Sequence, residues 1–301
     1  MTIRIACLGG AVVDLVYGLD ELPGRDGKVR ARSYFETGGG MAANAAVAIN
    51  RLGGSASWWG RVGDDDIGSR VLDGLRREGV AVTDVRIIPG VVSSHSLVLT
   101  DRAGNRAIVL YRSDALDPDP SWLPLEAVAS VIAVLADNRW IEGSVAILTA
   151  AREAGKFGVL DADSGADSRT IEAVRSATHA VFSEPGLAEL FETSDPDEGL
   201  RRAGELAPFV AVTLGASGVR WRGPDHRIGH MPAFQVDVVE TVGAGDVFHG
   251  CFAHALAEGR HEIEALRFAS AAAAIKCSAE GGRSSFPSLS AVERFMRSTL
   301  G

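Results

Sequence analysis

Short apolar runs alternate with helical patterns along nearly the whole chain. Residues 3–8 read as a first buried strand, and the alanine-rich stretch 40–52, stopped by Gly53-Gly54, reads as a helix. A short strand is expected at 56–59 and a second helix at 66–79, where Ile67, Val71, Leu72 and Leu75 share a face and Gly79 ends the pattern. Further strands are expected at 131–136, 157–161, 179–182 and 209–213, with helices between them at 144–154, 170–176 and 200–206. This rhythm implies an α/β fold: a central, mostly parallel sheet with helices on both faces. Two stretches break it. Residues 29–36 and 92–111 are strand-rich without intervening helices, and 92–100 and 106–111 flank the turn Asp101-Arg-Ala-Gly104 as a hairpin. We expect one domain over 1–301, with a small β lid built from about 12–36 and 92–112 that covers a site or pairs with a second copy.

Composition removes several classes. The 301 residues are 46% hydrophobic, which excludes a disordered chain. Three cysteines, Cys7, Cys251 and Cys277, are too few for a disulfide scaffold and lack zinc-ribbon spacing; they read as buried thiols. The longest apolar stretches, 128–136 and 268–275, fall well short of the ~20 residues of a membrane helix. The first ten residues read as a strand and turn rather than a leader, so a cytoplasmic protein is expected. A net charge of -9 disfavours nucleic acid and anionic membranes as partners, but not a small anionic ligand held by local arginines or amides.

The strongest chemical signal is Glu240-Thr-Val-Gly-Ala-Gly-Asp246, followed by a helical pattern over 247–256. A tight turn opening a helix presents unpaired amides and the positive end of the helix dipole, which suits phosphate. A carboxylate there repels a bound anion. Asp246 either caps the helix, as aspartate often does, or takes a proton from a hydroxyl that attacks phosphorus.

The heptapeptide resembles a signature of the PfkB, or ribokinase-like, carbohydrate kinases, Asp-Thr-x-Gly-Ala-Gly-Asp, with Glu240 as the departure. Gly38-Gly-Gly-Met-Ala-Ala-Asn44 and Gly60-Arg-Val-Gly-Asp64 resemble the first signature, and Thr213-Leu-Gly-Ala-Ser-Gly218 resembles the nucleotide-binding turn. The pieces follow the family order from Gly9 to Gly282. The resemblance implies a ribokinase-like fold, ATP and Mg²⁺ as cofactors, and Asp246 as base beside an anion hole of Gly243, Ala244 and Gly245 amides. It places the sugar against Asp14, Gly39, Gly40 and Asn44, and the nucleotide against Thr213, Gly215, Gly218, Ser270 and the 270–282 stretch. Local sequence leaves blander roles open: a turn aspartate for Asp14, a surface amide for Asn44, an ordinary strand-ending turn for 213–218.

Departures matter. Where the family carries an Asn-x-x-Glu element linked to magnesium, this chain has Ser183-Glu-Pro-Gly186, so Glu184 is the substitute and Asp161 and Asp163 are further candidates; the metal ligands stay open. Glu240 falls in the loop where relatives hold a monovalent cation such as K⁺, which puts that dependence in question. Residues 136–140, 182–187 and 276–287 look most like the sulfofructose kinase branch, and Lys28, Arg139 and Arg112 are candidates for an anionic end of the sugar pocket. Leu110 stands where that branch would offer a polar contact, and Arg139 is equally readable as half of a structural salt bridge. His249 and His254 read as packing or surface residues, and Trp58-Trp59 as core or lid packing. The expected activity is therefore phosphoryl transfer from ATP to a ketohexose-type sugar, sulfonated or phosphorylated. The alternatives are a neutral sugar such as fructose or ribose, or a noncatalytic sugar-binding module, with a homodimer formed through the β lid. A dehydrogenase is disfavoured because no Gly-x-Gly-x-x-Gly follows the first strand, and no P-loop lysine pattern is present.

Overall fold

The computed structural model describes residues 2–24, 26–103 and 105–299; Arg25 and the hairpin residue Gly104 lie outside the described residues. The chain begins with β1 (Arg4–Leu8), β2 (Val12–Gly18) and β3 (Ser33–Gly39), then enters α1 (Met41–Arg51). Next come β4 (Ser55–Gly63), α2 (Asp66–Arg77), β5 (Val85–Ile88) and the hairpin of β6 (His95–Thr100) and β7 (Arg106–Tyr111). The second half runs through β8 (Ala133–Asp137), α3 (Ile141–Glu153), β9 (Phe157–Ala162), α4 (Thr170–Ser176) and β10 (His179–Ser183). It continues with α5 (Glu184–Phe191), α6 (Pro196–Ala203), β11 (Phe209–Thr213), β12 (Val219–Arg222) and β13 (Ile228–Met231). Helices α7 (Ala244–Ala257), α8 (Glu262–Cys277) and α9 (Leu289–Ser298) close the fold.

The main sheet has the order β13-β12-β11-β10-β9-β8-β1-β4-β5. From β11 to β5 all pairings are parallel. Their inner strands are apolar on both faces because both faces are covered: Trp58, Phe252 and Phe268 fill one side, and Trp140, Phe182 and Leu148 the other. At one edge β12 and β13 turn antiparallel, a departure from the expected rhythm. Parallel strands present their C-terminal ends along one edge, where α/β sheets bind ligands.

The strand-rich stretches form a separate four-stranded sheet, β3-β2-β6-β7. Its register sets two cross-strand rows on one face. Thr37, Asp14, Ser96 and Leu110 make the row nearer the main sheet; Phe35, Val16, Val98 and Ile108 make the next.

Helix starts follow their caps. Asp65 accepts from the Gly68 amide at 2.8 Å and opens α2. The stretch 183–186 is itself a cap: the Ser183 hydroxyl accepts from the Gly186 amide at 3.1 Å, with Pro185 in the first turn of α5. Likewise Asp195-Pro196 starts α6 four residues earlier than the apolar pattern at 200–206 suggests.

Helices α1 and α7 cross closely because both are built from small residues. A Cβ at Gly250 would lie 2.6 Å from the Ala45 carbonyl oxygen, and Met41 through Ile49 are buried. That approach brings two helix N-termini, Gly40–Asn44 and Gly243–Asp246, to one place over the ends of β1, β8 and β9.

Candidate active site

The centre of the site is a chain of three side chains from three distant parts of the sequence. Asn44 Nδ2 donates to Asp246 Oδ2 at 2.6 Å, and Asn44 Oδ1 accepts from Arg283 Nε at 2.8 Å. Arg283 also donates to the Gly39 carbonyl at 3.2 Å, and its guanidinium fills the space a Cβ at Gly38 would need. The amide of Asn44 is thus fixed in one orientation: its NH₂ faces the carboxylate and its oxygen faces the guanidinium. Burial pushes the Asp246 carboxyl up to about 6, aided by the negative charges of Asp163 and Asp137 and opposed by the Asn44 hydrogen bond and Arg283. Arg283, 7% exposed, is lowered to about 10 chiefly by burial.

Asp246 stands on the first turn of α7, behind Gly243, whose φ of 76° is a left-handed conformation that favours glycine. The Ala244 amide donates to the Thr241 carbonyl at 3.2 Å and closes the turn. Gly245 is exposed, and a Cβ there would meet no protein atom within 4 Å. The amide end of the helix therefore opens on free space beside the carboxylate.

Asp14 projects from β2 towards Gly39, where an added Cβ would collide with its Oδ2 at 2.3 Å. Ser96 donates to Asp14 Oδ1 at 2.5 Å, and burial raises the Asp14 carboxyl against that hydrogen bond and Arg283. Gly40, at φ 93°, lies so close to Gly10 and Ala11 that only glycine fits. Asp14, Gly39, Gly40, Asn44, Gly243 and Asp246 therefore stand together.

A cleft of about 530 Å³ adjoins them and is lined in part by Gly10, Gly40, Leu110, Arg112, Arg139 and Trp140. Its cations are each engaged. Arg139 donates to the Ser164 carbonyl at 2.7 Å and pairs with Asp163 at 3.0 Å. Arg112 donates to the Arg139 carbonyl at 2.6 Å, and Arg61 lies over the Trp140 ring at 3.9 Å. Lys28 is exposed on the loop between β2 and β3 and does not line this cleft.

The remaining candidates sit further along the sheet edge. Thr213 ends β11, its hydroxyl donating to the Phe182 carbonyl at 3.4 Å. Gly215, at φ 55°, is exposed in the turn that follows; Gly218, at φ 89°, is pressed against Met231, so its need for glycine is structural. Glu184 is exposed in the first turn of α5, and Ser270 is half-buried on α8. Helix α7 packs between α8, which carries Ser270, and α1, which carries Asn44.

Two side chains, Asp137 and Arg283, are not singled out by the sequence, and two more, His249 and Asp161, take a role other than the expected one. Asp137, wholly buried, accepts from the amides of Gly10, Ala42 and Arg139 at 2.8–3.0 Å and so ties the α1 start to β8. A Cβ at Gly9 would strike it at 2.2 Å. Arg283 follows Gly281-Gly282, a turn signal with nothing to announce a contact 239 residues away. His249 and Asp161, both buried, face each other at 3.3 Å beneath the first turn of α7, where His249 Nδ1 also meets the Gly245 carbonyl at 2.7 Å. Burial raises Asp161 well above the carboxylate range, with Asp246 adding to it, and lowers His249.

A pfkB family carbohydrate kinase model matches residues 2–289. The chain belongs to the pfkB family of carbohydrate kinases. It is 29% identical over 295 residues to the ribokinase of Bacillus subtilis, covering 97% of this chain and 99% of that one. It is 31% identical over 304 residues to an ATP-dependent ribose-1-phosphate kinase of Halopiger xanaduensis, with 98% of each covered. Among solved structures, a ribokinase by provisional assignment from Agrobacterium tumefaciens is 36% identical, with a TM-score of 0.95, over 100% of this chain and 99% of that one. The pfkB chain described here is an ATP-dependent carbohydrate kinase on the ribokinase-like fold. None of these relatives singles out the sulfofructose branch.

Proposed function

We propose that Asp246 removes the proton of a sugar hydroxyl while that oxygen attacks the γ-phosphorus of ATP and ADP leaves. The observation that carries this reading is the Asp246–Asn44–Arg283 chain at the open start of α7. A base near neutrality, with its lone pair steered by a fixed amide, suits proton removal at physiological pH. Phosphoryl transfer is otherwise positioning and charge stabilisation. The start of α7 supplies the second part, with Gly245 the most open; the Ala244 amide is already bonded to the Thr241 carbonyl.

Asp14, Gly39, Gly40 and Asn44 hold the sugar hydroxyls; Thr213, Gly215, Gly218 and Ser270 border the nucleotide. Magnesium asks for one or two carboxylates besides the nucleotide phosphates, and Glu184 and Asp163, both reached by solvent, fit that need. Bound there it neutralises charge on the phosphates; the proton is handled by Asp246.

The preferred acceptor is a neutral sugar of the ribose or fructose class. Arg139, Arg112, Arg61 and Arg169 already have partners, Lys28 lies outside the cleft lining, and Leu110 offers no polar contact. The ribokinase relative supports a neutral pentose first, and the ribose-1-phosphate kinase relative shares the pentose but is named for its phosphate. The test is ADP release with ribose, fructose, and sulfonated and phosphorylated ketohexoses. Neutral sugars are expected to show the highest kcat/KM. Turnover confined to the sulfonated sugar would restore an anionic pocket, and Arg139→Ala would then raise its KM far more than that of fructose. In the same assay Asp246→Asn is expected to lower kcat by at least ~10² while ATP binding persists; unchanged turnover would reject the base.

We also propose that the β3-β2-β6-β7 sheet is a lid that pairs with a second copy of this chain, on the strength of the exposed Phe35 and Ile108 on one face.

A further inference from the structure

Lys276 is the one lysine among the described residues that is wholly buried, and its charge has no part in the chemistry above. Its Nζ donates to Glu240 Oε2 at 2.7 Å. Burying an ammonium is expensive unless a partner compensates it, so the position of this one is informative. Glu240 opens the turn that ends in Gly243–Asp246. That carboxylate also accepts from the Gly282 amide at 3.4 Å, next to Arg283. Two backbone bonds run alongside: the Val239 and Glu240 amides donate to the Cys277 carbonyl at 2.8 and 3.1 Å. The end of α8, the start of the anion-binding turn and the loop that delivers Arg283 are therefore drawn onto one charge.

The resemblance to ribokinase-like kinases implies a monovalent cation against this loop, and the residues here do not fit one. Glu240 is the carboxylate these segments share, and a tethered ammonium already sits on its Oε2. An ammonium and an alkali cation compete for the same oxygen donors, and the ammonium brings no oxygen of its own. We infer that Lys276 is a built-in cation: it positions the Glu240–Asp246 turn, and the enzyme works without added K⁺. Lys276 is a positioning residue, since it acts through Glu240 and touches no reacting atom. The inference rests on the kinase reading for its rate measurement but not for its stability measurement.

The experiment measures turnover and thermal unfolding in choline chloride and in KCl at equal ionic strength. For the unaltered enzyme, kcat is expected to change by less than twofold and Tm by less than 1–2 °C. Lys276→Ala opens a hole of ammonium size beside an unpaired carboxylate. It is expected to lose at least tenfold in kcat and several degrees in Tm, and to recover part of both in KCl or methylammonium chloride. Lys276→Met fills the space without charge and is expected to lose activity with no recovery. A several-fold rise in kcat, or a clear rise in Tm, of the unaltered enzyme on adding K⁺ would overturn the inference. So would a Lys276→Ala enzyme that is fully active in choline chloride. If neither variant folds, the response of the unaltered enzyme decides alone. If no sugar is turned over, the Tm comparison still tests the cation while the kinase reading fails separately.

Discussion

Ionised Asp246 is held by one hydrogen bond and one indirect cation against burial and two neighbouring carboxylates, and the balance lifts it from 3.8 to about 6. The native state therefore binds this proton more tightly than the unfolded chain does. The resulting stability is complete below about pH 4 and is lost as pH rises through 6, at a cost on the order of 2–3 kcal/mol. Asp246→Asn removes that cost and can still accept the Asn44 hydrogen bond through its amide oxygen. It is expected to melt several degrees higher than the unaltered enzyme at pH 8 and to show little difference at pH 4, by calorimetry in one salt concentration. A loss of stability at pH 8 would show that the carboxylate is better compensated than its surroundings imply. For catalysis the sign reverses: only the ionised form accepts a proton, so kcat/KM should rise towards pH 6 and level off above it. Asn44→Ala removes the donor that lowers the Asp246 carboxyl. Its acid limb should move to higher pH, a shift that loss of a sugar contact alone does not produce. An unmoved limb with a raised KM would confine Asn44 to the substrate.

Single elements explain what could be read in advance. The β1 and β8–β11 strands, α1 and α2 declare themselves because a buried parallel strand is a continuous apolar run and a half-buried helix has a face. The turn 240–246 was legible because its glycines and aspartate serve one local geometry. Four-residue strands such as β5, β12 and β13 carry too little pattern to stand out. Contacts between elements were not legible at all: Arg283 reaches Asn44 only after α1, α7 and the final loop have packed, and Asp137 becomes a cap for α1 only once β1 and β8 pair. Residue type named Asp246 and Asn44, whereas burial and partners decide what Arg139 and Lys28 can do. The start of α7 permits a clean separation of structure from chemistry. Gly245 has ordinary backbone geometry and room for a Cβ, so Gly245→Ala should leave Tm within about 2 °C. If phosphate oxygens occupy that space, kcat/KM should fall by one to two orders of magnitude. Full activity in this variant would remove Gly245 from the anion hole.

At the scale of the molecule, the two sheets meet over the reacting groups. The row Thr37, Asp14, Ser96 and Leu110 belongs to the site, and one step outward the same face carries Phe35, Val16, Val98 and Ile108. Phe35 and Ile108, at the two ends of the row, are 50% and 58% exposed, although Val16 beside Phe35 is buried. An apolar row continuous with a binding cleft is poorly explained by solvent alone. A second copy laid on it would bury the row and border the sugar at once, which couples assembly to substrate affinity. Ile108→Asp places a charge on the β7 end of that row without touching Asp14 or Asp246. Sedimentation should find the unaltered enzyme dimeric at micromolar concentration and the variant monomeric. KM for sugar should rise in the variant, with kcat changed less, because the base and the anion-binding turn lie outside the lid. An unaltered enzyme that sediments as a monomer would remove the second copy. A monomeric variant with unchanged KM would keep the dimer and detach it from the site.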